Sequence, residues 1–577
     1  MKRTAGRELA PALPAWRANL LLLLLGAWFV GLAGRALWLQ ALNNDFLQRK
    51  GESRYSRVVD IGASRGMIVD RNNEPLAIST PVESVAASPG DVDAEPAELR
   101  KLAQLLGIGN DELRTRLSDT KREFVYLKRQ LPPEQAERVV QLGIPGIFLQ
   151  REHRRYYPAG DVMAHIIGFT GVDDKGQEAL ELAFEESLAG KPGSRRVIRD
   201  RLGRIVEDVE SIRVPQEGQR LTLSIDARIQ YLAFRELKAA VVANRAKAGG
   251  IVVLDAESGE ILAMANLPTY NPNNRGKLDA QRMRNRVVTD LFEPGSTLKP
   301  FTAAAALEAG LFQPGTVIQT APGQMTIGNR TIQDAHPQGA LTVAQVIQKS
   351  SNVGAAKMGL ALSSETLWSM FSRAGFGTMP RSEFPGEVSG RLRTYKTWKP
   401  IEQATMSYGY GLSVSLLQLA RAYTMFASDG VLRPVTLLKR DGPVQGTRVI
   451  AASTALAVRK MLEMAAQPGG TAPGAQVSGY TVAGKTGTAH KLEGKNYALH
   501  RYVASFVGMA PASQPRIVIA VMIDEPTAGQ YYGGAVAAPV FSQVAAGTLR
   551  LLAVPPDAPA KTTVLTPESM PLVREEV

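Results

Sequence analysis

The chain carries one uncharged stretch near its N-terminus, Ala18 to Gly34, in which Leu20 to Leu25 is unbroken leucine. A run this apolar has few places to go besides a bilayer, whose hydrocarbon core takes about 20 helical residues. Arg35 interrupts the run and apolar residues resume through Leu42; an arginine near one end of a span reaches the headgroups with its side chain. Trp16, Trp28 and Trp38 include two residues suited to the membrane interfaces. Lys2, Arg3, Arg7 and Arg17 precede the span against Glu8 alone. That bias keeps a short tail, residues 1–17, in the cytoplasm and sends the rest across. A cleaved signal peptide is the competing reading. The run exceeds the usual apolar region of about 7–15 residues, and no clear Ala-x-Ala site follows. The expectation is an uncleaved signal anchor over residues 18–42, with no later segment apolar enough to span.

At 577 residues the chain needs more than one core. Hydrophobic residues are 45% and charged residues 21%, a globular balance rather than a disordered one. The net charge of +13 suits nucleic acid, an anionic polymer or a membrane surface. Basic residues are spread along the chain, and clusters such as Arg195, Arg196, Arg199, Arg201 and Arg204 read as solvated faces. No nucleic-acid motif accompanies them, so no nucleic-acid partner is expected. Without cysteine there is neither a disulfide framework nor a thiolate metal site. Five histidines in no ligand-like spacing leave no metal and no cofactor to expect.

Residues 43–220 read as a mixed α+β module with no acid–base or nucleophile constellation. Two helices stand out there. Ala97 to Leu106 puts Leu99, Leu102, Leu105 and Leu106 on one face and stops at Gly107. The other starts at Pro132-Pro133, carries Ala136, Val139, Val140 and Leu142, and ends at Gly143. A second domain, 221–553, opens with the alternating strand Leu221–Ile225. Asp226 then caps a helix with Ile229, Leu232, Ala233 and Leu237 inward. Ile251–Leu254 and Ile261–Ala265 form a hairpin, and Val503–Met509 and Arg516–Ile523 form two further strands. Strands at both ends with helices between imply an α/β sandwich. The tail, 554–577, is Pro-rich and polar and reads as disordered.

Three short motifs lie in order within the second domain. In Ser296-x-x-Lys299, positions i and i+3 of a helix starting near Ser296 share a face, so the amine can reach the hydroxyl. A serine needs such a base to attack at neutral pH, and a lysine serves only where burial and other cations hold its pKa down. A helix N-terminus also favours developing negative charge. Gly295 removes a side chain where a substrate carbonyl must approach. In Ser350-Ser351-Asn352, Ser350 can relay a proton and the Asn352 amide can hold a peptide backbone and the lysine. In Lys485-Thr486-Gly487-Thr488, the lysine and two threonine hydroxyls can bind a carboxylate, and Gly487 leaves room beside the strand. The backbone N–H groups of Ser296 and Thr488 can form an oxyanion hole. Each motif alone is common, but the ordered set is the signature of penicillin-binding proteins and serine β-lactamases.

The chain resembles the class B penicillin-binding proteins, which are peptidoglycan D,D-transpeptidases. Arg65-Gly66-x-Ile68-x-Asp70-Arg71-Asn72, Arg155-Tyr156-Tyr157-Pro158-Ala159-Gly160 and Gly176-x-Glu178-x-x-Glu181 are similar to motifs of that family's N-terminal pedestal. Thr269-Tyr270-Asn271-Pro272-Asn273, Tyr408-Gly409-Tyr410-Gly411 and Tyr531-Tyr532-Gly533-Gly534 are similar to its catalytic domain. The short pedestal looks most like the division-type, FtsI-type branch of Gram-negative bacteria.

The resemblance implies an α/β catalytic domain, an antiparallel sheet with helices on both faces plus an all-helical part. This stands behind the anchor and a dimerisation-type pedestal, in the periplasm beside the inner membrane. It implies that Ser296, activated by Lys299, attacks the carbonyl between the two D-alanines of a stem peptide, and that an amine from a neighbouring peptide then takes the acyl group. β-Lactams would acylate Ser296 and stall. Ser350, Asn352 and Lys485 complete the catalytic set; Ser351, Thr486, Gly487 and Thr488 bind substrate; Tyr408, Tyr410, Tyr502 and Tyr532 look like walls of the cleft. His490 stands where relatives often carry arginine, which bears on ligand preference. An FtsW-type polymerase and other division proteins are the implied partners. A D,D-carboxypeptidase or endopeptidase would use the same residues with water as acceptor, and a non-catalytic scaffold could retain them. A class A β-lactamase also needs a glutamate-activated water; no Glu-x-x-x-Asn run lies between Asn352 and Lys485.

Overall fold

A computed structural model of the chain describes residues 15–39, 56–199, 205–276, 279–442, 444–494 and 496–559. Helix α1, Ala15–Leu37, covers the expected anchor; its 23 residues are apolar enough to cross a membrane and none is buried. At the α-helical rise it is about 34 Å long, enough for a hydrocarbon core. The anchor's last residues, most of the cytoplasmic tail, and Arg201 and Arg204 lie outside the described residues.

The chain forms two compact units. In the first, the helices Pro96–Leu106 and Pro133–Val140 lie close to their expected positions. Pro96 fits the first helical position, the Glu98 carboxylate accepts the Glu95 N–H, and Gly107 ends the helix at φ 62°. Leu102, Ala103, Leu106, Leu113 and Val139 pack with Val85 and Leu127 in one core. Ala136 and Val139 form the buried face of the second helix, and Val140, one position on, is half exposed. An antiparallel sheet of Ser56–Ile61, Gly193–Arg199 and Ile205–Arg213 belongs to the same unit.

The second unit is built on a five-stranded antiparallel sheet. Its strands are β1 (Ala248–Asp255), β2 (Ile261–Leu267), β3 (Ala483–Glu493), β4 (Asn496–Ala510) and β5 (Ile517–Asp524), in the order β2-β1-β5-β4-β3. Every residue of β1 and β5 is buried, because helices cover both faces. Ile251, Val253, Ile519 and Val521 pack with helices α2 (Ala227–Ala243) and, near the C-terminus, Ala538–Leu551. Val252, Leu254, Val518 and Ala520 face the opposite way into a core shared with α3 (Lys299–Glu308), α4 (Val343–Lys349), α5 (Asn352–Ala361), α6 (Leu416–Ala427) and α7 (Ala452–Ala466). These helices form the all-helical part. The Asp226 carboxylate accepts the Arg228 N–H at 3.0 Å and caps α2 as expected.

Two segments of the expected pedestal lie outside the first unit. Residues 64–80 and 153–190 pack within the second. Asp70 accepts the backbone N–H of Asn72, Glu74 and Ala227 at 2.7–3.0 Å. Tyr157 and Asn273 exchange two hydrogen bonds, and the Tyr270 hydroxyl donates to the Ala164 carbonyl. Ile166, Ile167, Leu180 and Leu188 join the core of the second unit. Gly66 lies so close to the chain that a Cβ there would sit 1.9 Å from the Gln219 carbonyl oxygen. The expected disordered tail also needs correction over 554–559. The Tyr480 hydroxyl donates to the Val554 carbonyl at 2.7 Å, and Asp557 accepts from the Thr481 N–H at 2.7 Å and from the Ser513 hydroxyl. These bonds hold that segment beside the entry to β3; the rest of the tail lies outside the described residues.

Arg65, Arg155 and Glu181 form a buried ionic cluster. Glu181 accepts from Arg65 Nε at 2.6 Å and from Arg155 Nε at 2.7 Å, and all three side chains are essentially excluded from water. Glu185 adds a second carboxylate to Arg65 at 2.7 Å. Removing Glu181 leaves two buried guanidinium groups short of an anion. Glu181→Ala is therefore expected to cost about 3–5 kcal/mol, read as a lowered thermal midpoint of the detergent-solubilised protein.

Candidate active site

The three motifs arrive from separate parts of the second unit. Ser296 lies in a 3-10 turn, Gly295–Leu298, and α3 proper begins at Lys299. The α-helix therefore starts three residues later than expected. Ser296 is partly exposed while Thr297, Leu298 and Lys299 are buried, so the turn presents one hydroxyl to the cleft. Gly295 adopts φ 54°, and a Cβ there would meet only ordinary contacts at 3.6 Å. Its backbone conformation, more than space for a substrate, calls for glycine.

Lys299 is fully buried. Its Nζ donates to the Ser350 carbonyl, to Ser350 Oγ at 3.1 Å and to Asn352 Oδ1 at 2.8 Å. Burial holds its pKa well below the ordinary lysine value; the Lys485 charge pushes the same way and Asp334 opposes. Ser350 ends α4 in the left-handed region at φ 61°, which turns both of its oxygens to the amine. Asp334, which no sequence motif marks, fixes the segment that follows. Its carboxylate accepts from Ser351 Oγ at 2.7 Å, Asn352 N at 2.5 Å and Val353 N at 2.9 Å. Ser351 thus faces Asp334, and its hydroxyl also accepts the Gly354 N–H to cap α5.

Lys485 is fully buried on β3, and burial lowers its pKa to about 7. Its Nζ lies 3.2 Å from Thr486 Oγ1 and 3.5 Å from Thr471 Oγ1. Thr488 Oγ1 accepts the Gly533 N–H at 3.1 Å. Gly487 has a different neighbour from the one expected. A Cβ there would lie 2.4 Å from Ser505 Oγ and 2.8 Å from the Pro294 carbonyl oxygen. The space it leaves is taken by the nucleophile turn, which thereby lies directly against β3.

Gly409 acts likewise. Its carbonyl accepts the Gly295 N–H at 3.1 Å, and a Cβ on it would lie 2.0 Å from the Gly295 carbonyl oxygen. Glu293 accepts the Gly411 N–H at 2.7 Å, so the loop carrying Tyr408 and Tyr410 is stitched to the segment before Ser296. The four expected tyrosines belong to one chain of rings. Tyr408 meets Tyr410 edge-on at 5.8 Å, and Tyr410 meets Tyr497 at 5.7 Å. His490 lies between Tyr497 and Tyr502, and Tyr502 stacks on Tyr531 at 4.2 Å, which stacks on Tyr532. Tyr408 is buried and Tyr532 exposed. Tyr497 was not singled out from the sequence, and Tyr531 only as part of its motif, not as a wall of the cleft.

An antiparallel sheet between helical layers, with the three motifs brought together beside it, is the arrangement of the penicillin-binding transpeptidases. Residues 249–546 match the penicillin binding protein transpeptidase domain and residues 60–223 the penicillin-binding protein dimerisation domain. The chain belongs to the penicillin-binding transpeptidase family. Within it, the chain is 45% identical over 94% of its length to "Probable peptidoglycan D,D-transpeptidase PenA" of Neisseria meningitidis, covering 94% of that protein. It is 44% identical over 94% of its length to the peptidoglycan D,D-transpeptidase FtsI of Escherichia coli K12, covering 93% of that protein. The TP domain of Burkholderia pseudomallei penicillin-binding protein 3 aligns with a TM-score of 0.55 at 50% identity, over 58% of this chain and 98% of that one.

Asp334→Ala strands two backbone N–H groups, each worth about 1–3 kcal/mol when left unpaired in the interior. The variant is expected to melt lower and to label more slowly with a fluorescent penicillin. Asp334→Asn, which keeps one acceptor oxygen, should fall between it and the wild type.

Proposed function

We infer that this chain is a peptidoglycan D,D-transpeptidase of the FtsI type that works through an acyl-enzyme on Ser296. The observation that carries the reading is the burial of Lys299 one helical turn after a partly exposed serine, among neutral oxygens and beside a second buried lysine. A neutral amine there donates to two of its three oxygens and keeps its lone pair for the Ser296 proton. Ser296 Oγ attacks the carbonyl carbon of the penultimate D-alanine as Lys299 takes that proton. The backbone N–H groups of Ser296 and Thr488 receive the oxyanion. The C–N bond then breaks, and the leaving D-alanine amine takes a proton returned by Lys299 through Ser350. The acceptor amine of a second stem peptide repeats the sequence in reverse and leaves the cross-link. Lys485, Thr486 and Thr488 hold the donor's terminal carboxylate, Asn352 holds its backbone, and the tyrosines and His490 line the cleft. A β-lactam acylates the same oxygen, but its amine stays tethered.

The N-terminal charge bias supports a catalytic domain on the periplasmic side of the inner membrane. The family's dimerisation domain and the anchor helix are the surfaces proposed to meet an FtsW-type polymerase. Loss of binding when the anchor is removed would support this; equal binding by the anchor-free protein would refute the helix's part in it.

Intact-mass measurement after incubation with benzylpenicillin is expected to show one covalent adduct, absent in Ser296→Ala. An adduct surviving that substitution sinks the nucleophile assignment. Cross-linked dimer formed from paired stem peptides would distinguish transpeptidation from hydrolysis.

The second-order constant for acylation reports groups of the free enzyme. Lys485 is charged below about pH 7 and neutral above it. Carboxylate capture, and with it that constant, is therefore expected to fall as pH rises through about 7. In Lys485→Arg this limb should vanish, because a guanidinium keeps its proton. A wild-type profile flat across this range would count against the carboxylate role.

A further inference from the structure

Thr471 belongs to none of the three motifs. It follows Gly469-Gly470 in the connection between α7 and β3. Its Oγ1 lies 3.5 Å from Lys485 Nζ and accepts the Thr486 hydroxyl at 3.0 Å. Lys485 Nζ is itself 3.2 Å from Thr486 Oγ1, so the ammonium and both hydroxyls form a closed triangle. Among the described residues the Lys485 ammonium has no carboxylate within hydrogen-bond reach; its partners are Thr471 and Thr486.

The connection carrying Thr471 is itself held at several points. Lys349, the residue before Ser350, donates from Nζ to the Gly469 carbonyl at 2.9 Å. The Ala472 N–H bonds the Ala465 carbonyl at 3.0 Å. Gly534 packs so tightly on this segment that a Cβ there would sit 2.3 Å from the Thr471 carbonyl oxygen. The segment therefore spans from the second motif to the third, and the Thr471 hydroxyl is a fixed acceptor rather than a wandering one.

We propose that Thr471 is a positioning residue that aims Lys485 and Thr486 at the terminal carboxylate of the donor peptide or β-lactam. The proposal rests on the reading that these two groups hold that carboxylate. In the free enzyme Thr471 keeps both donors oriented, the amine fully buried and the two hydroxyls nearer the surface. When substrate arrives, its carboxylate takes the outward donors while Thr471 retains the rear. Preorganised donors of this kind bind with less reorientation than free ones.

Benzylpenicillin and its methyl ester separate the two ideas, because only the first carries the anion. Second-order acylation constants are measured for both with the full-length detergent-solubilised protein. The wild type is expected to prefer the free acid. Thr471→Val, nearly the same shape without the hydroxyl, should lower that preference about tenfold, the worth of one charge-assisted hydrogen bond. Thr471→Ser should restore it to within about twofold, which a packing role for the γ-methyl would not do. Should the valine variant not fold, Thr471→Ala gives the same comparison without added bulk. A preference unchanged in the hydroxyl-free variant, or a serine variant as impaired as valine, overturns the proposal. A wild type that acylates with acid and ester alike overturns the carboxylate reading on which it rests.

Discussion

The placement of the Lys299 amine out of water governs the site. A lysine held in contact with solvent stays protonated at neutral pH and cannot take a proton from serine. Here the helix that carries it is buried from Lys299 through Ala306. Phe301, two residues on, meets Phe376, Tyr423 and Phe426 with ring centroids 4.9–5.5 Å apart. Tyr423 also donates to the Thr297 carbonyl at 2.7 Å and so anchors the turn from behind. Hydrophobic packing on one side of α3 thus sets the acidity of the amine on the other. Ser350 and Asn352 fix where that amine points without supplying a charge that would restore its affinity for protons.

Close backbone approach does the rest of the assembly. The nucleophile turn is held between β3 and the Tyr408–Gly411 loop, and both contacts need glycine, Gly487 on one side and Gly409 on the other. Two buried lysines then stand in one cleft. The charge of Lys485 depresses Lys299 further, so the proposed carboxylate-binding group also tunes the proposed base.

Much of this was legible in the sequence. The anchor, the Asp226 cap, the β1–β2 hairpin and the paired strands β4 and β5 all carry strong local signals, and they form close to where those signals place them. The motif residues do converge, since Lys299, Ser350 and Asn352 touch. Asp334 and Thr471 were not legible. An aspartate after a short hairpin and a threonine after two glycines look like ordinary turn residues, and only long-range contacts give them partners. The reason for Gly487 was misread because strand patterning says nothing of what packs across a face. That segments 64–80 and 153–190 pack with the second unit was not legible either, because they are separated in sequence from the core that they join.

The sheet ends on the strand that carries Lys485. Among the described residues this terminal strand keeps one row of amides and carbonyls without ladder partners, a feature most proteins conceal because foreign chains add to it. Here that strand lies against the turn that carries Ser296. An extended peptide can lie along it as a sixth strand, recognised through its main chain, with side chains alternating toward and away from the cleft. Sequence-tolerant grip on the backbone would then combine with strict demands at the terminus, at the anion site proposed for Lys485. An enzyme acting on a polymer whose peptides vary along their length but share one ending gains from that division of labour.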